Sequence, residues 1–110
     1  WRLWEDYFAQ LCELGKREGF DVVLVAYPIF VRIHEPQFDE RETPENVLAD
    51  IAAKYEAVYF NPLQEYRAAD KRMRAAGKYL YHLPVDDHPT EDGTKLMADL
   101  LEPLIGGLLE

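Results

Sequence analysis

The chain opens with apolar residues at three- and four-residue steps, Trp1, Trp4, Phe8, Leu11 and Cys12. That spacing predicts one buried face of a helix. Arg2, Glu5, Asp6, Glu13, Lys16 and Arg17 fall mostly on its other sides, and Gly15 and Gly19 bracket its expected end. The pattern then changes period. Residues 20–29, FDVVLVAYPI, form a nearly unbroken, β-branched run that ends near Pro28, as expected for a strand covered on both faces. Residues 31–43 are polar and interrupted by proline, which predicts a long loop. Thr43-Pro44-Glu45 supplies an N-cap, a proline at the first helical position and an acid in the first turn. The helix it opens carries Val47, Leu48, Ile51, Ala52 and Tyr55 on its apolar face.

A short strand follows over 57–60 and is stopped by Asn61-Pro62. A third helix is expected over 63–76, with Leu63, Tyr66, Ala69 and Met73 on one side and Gly77 as its stop. Residues 79–83 read as extended and 84–89 as a turn. Thr90 should cap a last helix whose inner face is Met97, Leu100, Leu101 and Leu104, with Pro103 kinking or ending it. Helices alternating with strands give an α/β class with parallel strands. Two strands leave two open apolar edges. Either further strands belong to the same sheet, or the edges pair between chains, so self-association through exposed sheet edges is one expectation.

Composition narrows the function. The chain has 110 residues, 12 Lys+Arg against 21 Asp+Glu, and a formal net charge of −9, which repels a phosphate backbone and argues against nucleic-acid binding. Its single cysteine, Cys12, excludes an internal disulfide and a multi-cysteine metal knuckle. The compartment stays open. There is no serine, so this stretch alone lacks the nucleophile of a serine enzyme. That absence, with a first residue already inside a helical pattern, leads us to expect one partial domain, residues 1–110, of a longer protein.

The densest chemistry lies in residues 83–97, LPVDDHPTEDGTKLM. Two carboxylates adjoin a histidine in a turn before a helix. An imidazole suits proton transfer near neutral pH when a carboxylate fixes its tautomer and supports the imidazolium. Asp86 lies two positions before His88, and Pro89 stiffens the backbone after it. The same residue types also serve as ordinary turn formers and helix-start acids.

This block resembles the C-terminal part of the SGNH (GDSL-type) hydrolases, in which an Asp and a His stand close together before Pro, a polar residue, Gly and an apolar helix. Here the string runs Asp86-Asp87-His88-Pro89-Thr90, followed by Gly93 and Leu96-Met97. The residue three before His88 is Val85, not the more usual Asp. Some branches of the family use Asp-x-His, which makes Asp86 the partner, with Asp87 the alternative. Thr90 stands where Asn is usual, and Thr94 where a second His is frequent. The resemblance implies the C-terminal half of a flavodoxin-like, three-layer α/β/α fold. It further implies a serine esterase with catalytic His88 and Asp86, no cofactor and a small-molecule or carbohydrate ester as substrate, the nucleophile and oxyanion donors lying elsewhere. By the same resemblance, this chain alone should be inactive.

Other candidates carry less. His34, in the loop after the first strand, is a weak substrate-contact candidate. His82, Asp86, Asp87, His88 and Glu91 include metal-ligating types but lack the helical His spacing of a zincin, so no metal is expected. Cys12 reads as a core residue, and Arg67, Lys71, Arg72 and Arg74 as a solvated helix face. Two alternatives to the esterase remain: a non-enzymatic α/β interaction module, and a carbohydrate O-acyltransferase or deacetylase on the same scaffold.

Overall fold

The computed structural model describes residues 1–29, 33, 43–82 and 88–110. It is a mixed helix-and-sheet structure compatible with the α/β class. The order is α1 (Arg2–Glu18), β1 (Val23–Val25), α2 (Pro44–Lys54), β2 (Val58–Phe60), α3 (Leu63–Ala75) and α4 (Glu91–Leu109). The described residues gather into two compact units. The first draws on Trp1–Ala26 and Phe38–Asn61, the second on Tyr27–Gln37 and Pro62–Glu110.

In the first unit β1 and β2 are parallel, with Val23 beside Val58, Leu24 beside Tyr59 and Val25 beside Phe60. The ladder runs slightly past both strands. Val58 N–H donates to Val22 O, and Ala26 N–H donates to Phe60 O, each at 2.9 Å. The ten-residue apolar run therefore yields a strand of only three residues. Strand length is set by what the chain can pair with, and β2 offers three positions. Beyond the pairing, Phe20, Tyr27 and Ile29 are exposed.

The core of this unit is Phe8 and Cys12 of α1 against Ile51 of α2, with Val22, Leu24, Val47, Tyr55 and Ala57 packed around them. Phe8 stacks on Trp4 at 5.1 Å between ring centroids and meets Tyr55 edge-on at 6.2 Å. The buried line of α1 is Phe8, Cys12 and Gly15. Of the expected face, Phe8 and Cys12 are buried, whereas Trp1, Trp4 and Leu11 are exposed. Gly15 extends the buried line by one more turn. A β-carbon there would come within 2.8 Å of Phe20 O, so the chain can double back closely only over a glycine. Gly19 ends the helix as expected, in the left-handed region at φ +81°, its N–H bonded to Gly15 O. Thr43 caps α2 through Asn46 N–H at 3.3 Å.

In the second unit α3 buries Leu63, Tyr66, Ala69 and Asp70. Its companions in the interior are Ile33, Leu80, Tyr81 and Met97. Of the expected extended segment at 79–83, Leu83 lies outside the described residues, and the others give a single antiparallel bridge between Tyr81 and Pro89. Pro103 does not end the last helix, which runs through it to Leu109. A proline leaves the carbonyl four residues earlier, Asp99 O, without its helical donor. Asp99 and Pro103 are both exposed, so water can take that place. No helix among the described residues is long and apolar enough to cross a membrane.

Candidate functional site

The residues around His88 are held by the backbone before any side chain is considered. Residues 80–82 and 88–90 form a narrow antiparallel ribbon about the Tyr81–Pro89 bridge. His82 N–H donates to His88 O at 3.0 Å, and Thr90 N–H donates to Leu80 O at 2.9 Å. Proline suits position 89. It faces Tyr81 between those two hydrogen bonds, where the ribbon asks for no N–H from it. Thr90 then does two jobs. Its hydroxyl donates to Tyr79 O at 2.6 Å and accepts from Gly93 N–H at 3.1 Å, capping α4. His88 thus sits two residues before a capped helix start, and the residue is exposed.

Two buried tyrosines anchor this ribbon and helix start. Tyr81 donates its hydroxyl hydrogen to Pro28 O. Tyr66, fully buried, donates to Gly93 O at 3.4 Å. Burial pushes the Tyr66 phenol far above its ordinary value, and the Tyr27 hydroxyl beside it acts in the same direction. Tyr66 therefore stays protonated and remains a donor. Its ring meets that of Tyr27 edge-on at 6.1 Å. Gly93 completes the seat. A β-carbon there would come under 3.0 Å from Leu80 O, with Leu80 C at 3.1 Å and Pro89 Cβ at 3.4 Å.

Beside the ribbon lies an open groove of about 670 Å³, lined among others by His82, Pro89, Glu91, Asp92 and Lys95. Lys95 is paired with Asp99 at 2.7 Å, and this charge pairing holds its ammonium above the usual range. Among the described residues, no three His, Cys, Asp or Glu side chains gather as a metal-holding group. No family model, no curated protein and no solved structure matches this chain.

Of the sequence-derived candidates, His88 lies at the ribbon. Asp86 with its alternative Asp87, and His34, lie outside the described residues. Cys12 is buried in the first unit, and burial pushes its thiol above the ordinary value despite the nearby Lys16. Of the four basic residues on α3, Arg74 bonds Asp70 at 3.2 Å and lies over the Tyr79 ring at 5.7 Å. Sequence reasoning missed the pairing of His82 across from His88. The signal was present: two extended tripeptides flank the proline- and aspartate-containing stretch 83–87, which suits a chain reversal. It also missed why position 93 must be glycine, since Leu80 O comes close only through the ribbon.

Proposed function

We propose that this chain is the Asp/His-bearing C-terminal part of an SGNH-type serine esterase built on a flavodoxin-like three-layer α/β/α scaffold. The supporting observation is the seat of His88: an exposed residue on a backbone-paired, tyrosine-anchored ribbon immediately before a capped helix. A general base gains from such a rigid mount, because a misplacement of about 1 Å costs on the order of 100-fold in rate. The resemblance of residues 86–97 to the family's terminal block supplies the reaction class.

In that reading His88 takes the proton of a serine hydroxyl carried by residues outside this chain, and the serine oxygen attacks the ester carbonyl. His88 then hands the proton to the departing alkoxide, and later activates the water that releases the acid. Asp86 orients the ring and supports its positive charge. The substrate is a small-molecule or carbohydrate ester. An acyl transferase on the same machinery differs only in putting a sugar hydroxyl where water stands.

The test begins with the open reading frame. The proposal requires a serine at a strand-to-helix turn upstream of Trp1. In the protein containing it, His88→Ala should lower kcat for p-nitrophenyl acetate by about 10⁴-fold or more. Asp86→Asn should cost more than Asp87→Asn. The 110-residue chain alone should hydrolyse nothing above the buffer rate. Hydrolysis by that chain, lost on His88→Ala, would show that no external serine is needed. An upstream segment without such a serine refutes the assignment.

A further inference from the structure

The ribbon creates a pairing that sequence spacing does not suggest. Tyr81 faces Pro89 in an antiparallel bridge, so one step along each arm puts His82 opposite His88. The His82 N–H···O His88 bond at 3.0 Å fixes that register. Residues directly opposite in an antiparallel pair share a face, with β-carbons about 4.5–5.5 Å apart. Tyr81 points to the interior and is buried, whereas His82 and His88 are both exposed. We propose that His82 and His88 form a two-histidine clip for a divalent transition-metal ion, with water completing the coordination.

The chemistry of the donors selects the ion. Imidazole nitrogen favours zinc, copper and nickel over magnesium or calcium, and it binds zinc at about 2.0–2.1 Å. Rings rising from neighbouring positions on one face can converge on a single ion at that range. The backbone is already paired, so the second imidazole binds at a high effective concentration once the first has bound. The surroundings suit a cation. Glu91 and Asp92 line the same groove as His82, Lys95 in that groove is neutralised by Asp99, and the whole chain carries a formal charge of −9. A zincin spaces its histidines four apart on a helix. Here the register of the ribbon, and not a helical spacing of four, sets the two histidines opposite each other. The proposal goes beyond ester hydrolysis and stands or falls without it.

The experiment titrates the pure, tag-free 110-residue chain with ZnCl₂ by calorimetry and with NiCl₂ by NMR of the histidine rings. The expected result is one ion per chain, with the rings of His82 and His88 broadened together at substoichiometric Ni²⁺ and that of His34 unchanged. His82→Gln and His88→Gln should each weaken Zn²⁺ binding by about tenfold or more, whereas His34→Gln leaves it as it was. Both clip positions are exposed, and circular dichroism of each variant checks its fold. Perturbation of only one of the two rings overturns the clip, and so does wild-type affinity in either single variant. Equal loss in His34→Gln, or no binding below about 1 mM, overturns it as well. The wild-type ring spectra decide the matter even if a variant fails to fold, and none of these outcomes bears on the missing serine.

Discussion

Replacing Gly93 with alanine sets two effects of opposite sign against each other. In an exposed helix interior the change should stabilise by about 0.5–1 kcal/mol, because alanine loses less backbone freedom on folding. At position 93 the new methyl would fall under 3.0 Å from Leu80 O and 3.1 Å from Leu80 C. These are backbone atoms, not the tip of a side chain that can swing aside. The same oxygen accepts the Thr90 N–H at 2.9 Å, so pushing it away loosens a ribbon hydrogen bond worth about 1 kcal/mol. Overpacking of a closed site costs about 1–3 kcal/mol more. The sum favours destabilisation, by about 1–3 kcal/mol. Gly106→Ala is the internal control, since a β-carbon there meets nothing within 4 Å; it should be neutral or stabilising by up to about 1 kcal/mol. Urea unfolding of the two variants beside the parent reads the difference, and amide exchange at His82 and Thr90 locates it. Equal midpoints for the two variants, or unchanged exchange at His82 and Thr90 in Gly93→Ala, would refute the account of how α4 is seated.

Two further outcomes follow from the same geometry. Thr90→Ala removes a hydroxyl that caps Gly93 N–H and also donates to Tyr79 O; it should cost about 1–2 kcal/mol in urea unfolding, and Thr90→Ser should recover most of it. Burial raises the Cys12 thiol, and burial with the Glu45 charge raises Tyr59, while Tyr66 rises furthest. Each is raised in the folded state, so its contribution is complete below the unfolded value, about 8.5 for Cys and 10 for Tyr, and is lost as pH climbs through the folded one. Stability should therefore decline from about pH 9 upward. Cys12→Ala should remove the first part of the decline, and Tyr66→Phe the larger share of the part above about pH 10, with Tyr59 supplying the rest. A urea midpoint flat to pH 11 contradicts this reading.

Much of the second unit and most helix ends were legible because they depend on local chemistry. Thr43, Thr90 and Gly19 act through their own turns, and their roles require no knowledge of distant neighbours. The face of α3 was legible for a related reason: Leu63, Tyr66 and Ala69 repeat at helical steps, and the structure buries all three. What escaped the sequence was set by contacts distant along the chain. The apolar run from Phe20 to Ile29 carries no mark of where its partner ends, so a ten-residue expectation became Val23–Val25. Phe8 and Cys12 were read onto the inner face of α1, but the burial of Gly15 beside them follows from the close approach of Phe20, which helical spacing does not encode. At the candidate site, His88 and its helix start were readable as a motif. Its opposition to His82 required the register of a ribbon only three residues long on each arm.

That ribbon also fixes how far apart its two ends lie. Its closing bond, from His82 to His88, ties both ends of the five intervening residues to the start of α4. Once the ends of a loop are tied, doubling its length adds only about 0.6 kcal/mol of closure entropy. A longer connection between His82 and His88 should therefore cost the second unit little stability.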